Sequence, residues 1–228
     1  MSDIHKRLLL FAALIGWCAA LLVLRVGRSH SLHYGFLVWN LFLAAIPAAA
    51  ALMLTRTQNR FVSVALFVMW LAFLPNAPYI VTDFIHLNQN PPVPLWYDVA
   101  LLISFAGTGL LLAYSSVKDV QGVVTARFNK KTGWIVALGS LLLSGFGIYL
   151  GRFLRWNSWD PLANPGRIAG DVLQRGMNPL DHPRTIAVTL IYGVGLALGY
   201  VALRIIFGAP ANDSPQSHGD PQSAQSSL

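Results

Sequence analysis

Asp83 and His86 stand three residues apart in PNAPYIVTDFIHLNQN, a stretch without lysine or arginine. On a helix this spacing puts a carboxylate and an imidazole on one face, roughly 5–6 Å apart at Cβ. Such a pair can share a proton or supply two ligands to a metal, and either suits hydrolysis or transfer. Two ligands do not define a metal site, so any metal or other cofactor is unknown at this level. A second reading needs no chemistry: the two side chains end an apolar segment and hydrogen-bond each other. Arg152 and Arg155 repeat the i, i+3 spacing in GRFLRWNSWD, with Asn157 close behind. A pair of guanidinium forks holds a phosphate or carboxylate bidentately. The alternative is snorkelling to lipid phosphates beside Trp156 and Trp159. Asp83 and His86 are therefore the candidate catalytic residues, and Arg152, Arg155 and Asn157 the candidate anion-binding ones.

The elements that must position these residues are apolar. Six runs stand out: Leu8–Leu24, Phe36–Leu54, Phe61–Val81, Val99–Val117, Trp134–Leu150 and Thr185–Phe207. Each is long enough to cross a hydrocarbon core of about 30 Å as a helix rising about 1.5 Å per residue. The fold class expected is an all-α polytopic membrane protein with about six transmembrane helices. The first run follows His5, Lys6 and Arg7 as in a secretory signal, but it lacks a small-residue cleavage site and is read as a retained helix. The third run contains Pro75, Asn76 and Pro78, so its last turn should be kinked or unwound. With six crossings, the connectors after the third and fifth runs emerge on one face. One carries Asp83, His86 and Asp98, the other Arg152, Arg155, Asn157 and Asp160, which makes a composite site plausible.

Composition agrees. The 228 residues are 55% apolar and 11% charged, with a mean hydropathy of +0.54, against roughly 25% charged in a soluble domain. The net charge of +7 is scattered between apolar runs and forms no stripe for nucleic acid. The single cysteine, Cys18, permits no intramolecular disulfide. Placing both termini in the cytoplasm assigns nine Lys/Arg to the inner side and seven to the outer. Five of those seven lie in the connector 151–184, so we read that loop as holding arginines for a purpose other than topology. The expected location is the inner membrane. Residues 1–207 would form the membrane domain. Residues 208–228, rich in Pro, Ser and Gln, should be a disordered polar tail.

Smaller signals fill in the picture. Asp98 is placed to cap the fourth span, Asp160 to start a turn before Pro161, and Asn40 to bond between helices. Ser144-Gly-Phe-Gly should allow close helix packing. Asn164, Pro165 and Gly176 bracket a short interfacial helix with Ile168, Val172 and Leu173 turned inward.

The segments FLPNAPYIVTDFIHL, WYDVALLISFAGTGLLL and LSGFGIYLGRFLRWNSWDPLANP resemble an uncharacterised bacterial integral-membrane family called domain of unknown function 1361. The resemblance covers nearly the whole chain up to about Phe207. It implies a multi-pass membrane protein with polar motifs at these places, and no established activity, cofactor or substrate. Three functions stay open: an enzyme or binder acting on an anionic headgroup at the outer face, a non-catalytic subunit or assembly factor docking a membrane-protein partner, and a small transporter. No run has an ionisable residue near its centre, which speaks against the last.

Overall fold

The computed structural model describes residues 3–87, 93–154, 156, 165–177 and 181–207. It is all-helical, and no strand occurs among the described residues. Six helices are long and apolar enough to cross a membrane: Ile4–Ser29, Phe36–Leu54, Arg60–His86, Leu95–Arg127, Lys130–Phe153 and Pro183–Phe207. The protein is a multi-pass membrane protein. Its outward faces carry Leu9, Val23, Phe42, Val64, Leu143 and Ile205 exposed, side chains that lipid solvates and water does not.

The helices in chain order are α1 (Asp3–Ser29), α2 (Phe36–Leu54), α3 (Arg60–Phe73), α4 (Asn76–Tyr79), α5 (Leu95–Arg127), α6 (Lys130–Phe153), α7 (Pro165–Met177) and α8 (Pro183–Phe207), with a 3₁₀ segment Ile80–His86 after α4. Their ends follow local chemistry. The Asn59 side chain accepts hydrogen bonds from the Phe61 and Val62 amides to start α3, and Asn129 accepts one from the Thr132 amide to start α6. Pro183 occupies the first position of α8, where its missing N–H costs nothing. The third span breaks where expected. α3 stops at Phe73, and α4 and the 3₁₀ turn carry the chain on to His86. By contrast α2 runs through Pro47 without interruption.

α5 is the central helix, packed against α1, α2, α4, α6 and the 3₁₀ segment, while α8 packs along α6. Polar side chains pin the apolar interfaces. Trp70 Nε1 donates to Ser116 Oγ at 3.1 Å, joining α3 to α5. Cys18 lies 3.4 Å from Thr108, joining α1 to α5. Small residues do the rest, as the Ser144-Gly-Phe-Gly motif suggests. A side chain on Gly145 would collide with the Thr189 carbonyl and Gly193 of α8.

Expectations fail at Asp98 and in the helix of the last long connector. Asp98 does not cap α5: it lies inside the helix, wholly buried, and pairs with Arg25. Arg25 is buried as well, 2% exposed. The carboxylate that pairs with it is 73 residues away in the sequence. The expected short helix exists as α7; Leu173 is exposed rather than turned inward, and Val172, also exposed, borders a cleft against α6 and α8, while the Ile168 side chain lies outside the described residues. Gly176 lies within the last turn of α7. Asp160, Asn164 and the tail 208–228 lie outside the described residues.

Candidate functional site

The bend at Pro75 builds the site. Without an N–H and with a ring opposing the preceding turn, proline ends the regular ladder. The broken segment then needs room against α5 and α6, and glycines provide it. A Cβ on Gly147 would come within 2.6 Å of Pro75 Cβ, one on Gly109 within 2.6 Å of the Ala77 carbonyl oxygen, and one on Gly151 within 3.0 Å of the Tyr79 ring. Seated on this saddle, the 3₁₀ turn brings Thr82, Asp83 and His86 beside the C-terminal end of α6. In a 3₁₀ helix residues i and i+3 eclipse, so Asp83 and His86 are aligned more closely than an α-helix would place them.

Asp83 is 1% exposed. One carboxylate oxygen accepts from Arg152 Nη2 at 2.6 Å and the other from Asn40 Nδ2 at 2.8 Å. Arg152 also donates from Nε to Thr82 Oγ1 at 2.9 Å, and its guanidinium lies 4.5 Å over the Tyr79 ring. One edge of the fork is thereby fixed on Thr82 and Asp83. Nη1 sits 3.4 Å from Nε2 of the exposed His86. With His86 neutral, this contact requires Nε2 to be the acceptor and Nδ1 to carry the proton. Asp83 therefore bonds to Arg152 and Asn40, and His86 faces Arg152.

A second buried pair stands next to the first. Arg25 Nε donates to Asp98 at 2.7 Å and Nη2 to its other oxygen at 3.3 Å, a bidentate arrangement. The Arg25 guanidinium lies 4.4 Å over the Tyr34 ring, and the Tyr34 hydroxyl donates to the His86 carbonyl at 3.1 Å. Burial, then the Asp98 charge, push the Tyr34 phenol above its ordinary range, with Arg25 pulling the other way; it stays a donor. The Phe36 ring meets the His86 imidazole edge-on at 5.1 Å. His86 is thus held by its backbone and its ring.

Of the residues singled out from sequence, the structure brings Asp83, His86 and Arg152 together. Arg155 and Asn157 lie outside the described residues. Asn40 makes an interhelical bond, as expected, and its partner is the site carboxylate. Thr82, Tyr79, Tyr34 and Arg25 escaped sequence reasoning as members of the cluster, and Asp98 was placed in its connector without its arginine partner. One signal was present for the charged pair: the orientation expected from the sequence makes Arg25 one of the few outer-side cations outside the loop 151–184 and puts Asp98 on the same side. Among the described residues no group of three His, Cys, Asp or Glu side chains converges as a metal site.

No curated protein and no solved structure matches the chain. A family model does, over residues 39–198, which includes Asn40, Asp83, His86, Asp98 and Arg152. The chain belongs to the family described as Protein of unknown function (DUF1361).

Proposed function

We propose that the cluster at the Arg152 end of the helix bundle binds, and through His86 can process, an anionic phosphate- or carboxylate-bearing group at the extracytoplasmic face of the inner membrane. The observation that carries this reading is the approach of Arg152 Nη1 to His86 Nε2 at 3.4 Å, on the exposed side of an otherwise fixed guanidinium. An anion entering there accepts from Nη1 and from a protonated Nε2 together. Binding it favours the imidazolium, which can then return a proton to a leaving group. Asp83 does not touch the ligand in this scheme; it positions Arg152. Two of the outer-side arginines that weaken the charge rule, Arg25 and Arg152, are paired with carboxylates. That supports the orientation with both termini in the cytoplasm.

The test is a lipid and metabolite comparison of cells with and without the gene, complemented by variants. Asp83→Asn and Arg152→Ala are expected to fail. Arg152→Lys is expected to fail nearly as badly, because an ammonium cannot hold Thr82 and Asp83 on one edge while presenting a second. Full complementation by Arg152→Lys overturns the reading. Retained function in His86→Ala, with a stoichiometric membrane partner on purification, favours a subunit or assembly role instead.

A further inference from the structure

On the opposite side of α6 from the Tyr79 contact, α6, α7 and α8 border an open cleft of about 330 Å³. It is lined by Phe146, Ile186, Leu190 and Val172, with Thr185, Thr189 and Arg175 as its polar members. It lies beside the close crossing of Gly145 and Gly193, where the helix backbones touch, and at its other end α7 lies across it. The volume falls at the low end of ordinary ligand pockets, about 300–1,000 Å³. That is room for roughly ten groups of water size.

The polar atoms are arranged for a ligand with one wet end. The Thr189 hydroxyl is buried and has no hydrogen-bond partner. A helical threonine ordinarily returns its hydroxyl to the carbonyl one turn earlier. Thr185, 6% exposed, faces the Tyr149 phenol without a hydrogen bond of ordinary geometry. A buried hydroxyl left this way is costly unless something bonds to it. At the mouth, the Arg175 guanidinium lies 5.9 Å over the Tyr149 ring and that of Arg184 5.7 Å over Phe153. A lining arginine with Arg184 nearby, two hydroxyls and an apolar wall beside them match the parts of a phospholipid: phosphate, ester, acyl chain. Exposed Leu173 and Met177 place α7 itself among lipids.

We infer that this cleft binds one anionic phospholipid, its phosphate at Arg175, its ester oxygens at Thr185 and Thr189, and an acyl chain along Phe146, Ile186 and Leu190. The site is separate from the Asp83–Arg152 cluster and does not depend on the function proposed for it.

Photolabelling of the full chain in phosphatidylcholine vesicles tests this, using a trace of phosphatidylglycerol with a diazirine on its acyl chain. Label is expected to concentrate on the α6 and α8 cleft residues, about fivefold above the lipid-facing side of α3 at Val64. Ile186→Trp, which fills the cleft, should remove that excess, and Thr189→Val, which keeps shape but not the hydroxyl, should lower it. Arg175→Gln should erase the preference for the phosphatidylglycerol probe over a phosphatidylcholine probe, whereas Val64→Trp should change nothing. Label spread evenly over all outward faces, or unchanged in both Ile186→Trp and Thr189→Val, overturns the inference. So does displacement of the label by inorganic phosphate, which would make this a free-anion site.

Discussion

At the scale of single residues, charges are buried only in pairs. Arg25 and Asp98 are nearly inaccessible and make two bonds to each other; the Arg152–Asp83 pair differs in leaving the arginine partly exposed, at 17%. Removing one member of a buried pair strands the other charge and costs about 3–5 kcal/mol, whereas replacing both with apolar residues of similar volume is near neutral. Asp98→Asn should therefore lower the thermal unfolding temperature in detergent clearly, and Arg25→Met with Asp98→Leu should recover most of the loss. Equal damage from the double and the single change would mean that the pair is not what holds α1 to α5. Sequence exposed the residue types here but not their partners. The i, i+3 spacing of Asp83 and His86 was readable because it is local. The partners of Arg25 and Arg152 are 73 and 69 positions away, and no periodicity reports that.

At the scale of elements, the spans were legible because lipid demands length and apolarity together, and both are written in the chain. Their ends were less so. α1 extends beyond the apolar run Leu8–Leu24 to Ser29, because Asp98 satisfies Arg25 inside the bundle. α5 begins at Leu95, ahead of Asp98, for the same reason. The unwound end of the third span was visible in Pro75 and Pro78, but the glycines that receive it were not recognisable as its partners. These glycines differ in kind. Gly145 faces backbone of α8, whereas nothing stands within 4 Å of a Cβ on Gly139. Gly145→Ala should thus weaken the α6–α8 contact and lower stability, while Gly139→Ala should be neutral or slightly stabilising, by up to about 1 kcal/mol. Thermal unfolding of the two variants in the same detergent checks this contrast; equal effects would show that the crossing is not set by close backbone approach.

At the scale of the whole molecule, parity brings the ends of six helices to each face, and one face collects Arg25, Asn40, Asp83, His86, Asp98 and Arg152. The opposite end has its own ties, Arg7 to Asp119 and Tyr200 to Gln121, so a polar helix end by itself is not distinctive. What sets the first end apart is an exposed imidazole beside a guanidinium whose other edge is fixed. That arrangement underlies the outward-facing, anion-attracting surface proposed at His86. The measurement that reaches it most directly is the reaction of His86→Cys, with Cys18→Ser in the background, toward membrane-impermeant thiosulfonates in intact cells. The anionic reagent is expected to react several-fold faster than the cationic one, and Arg152→Ala should abolish that preference. Reaction only after the membrane is permeabilised, or equal rates for both reagents with Arg152 intact, would contradict it.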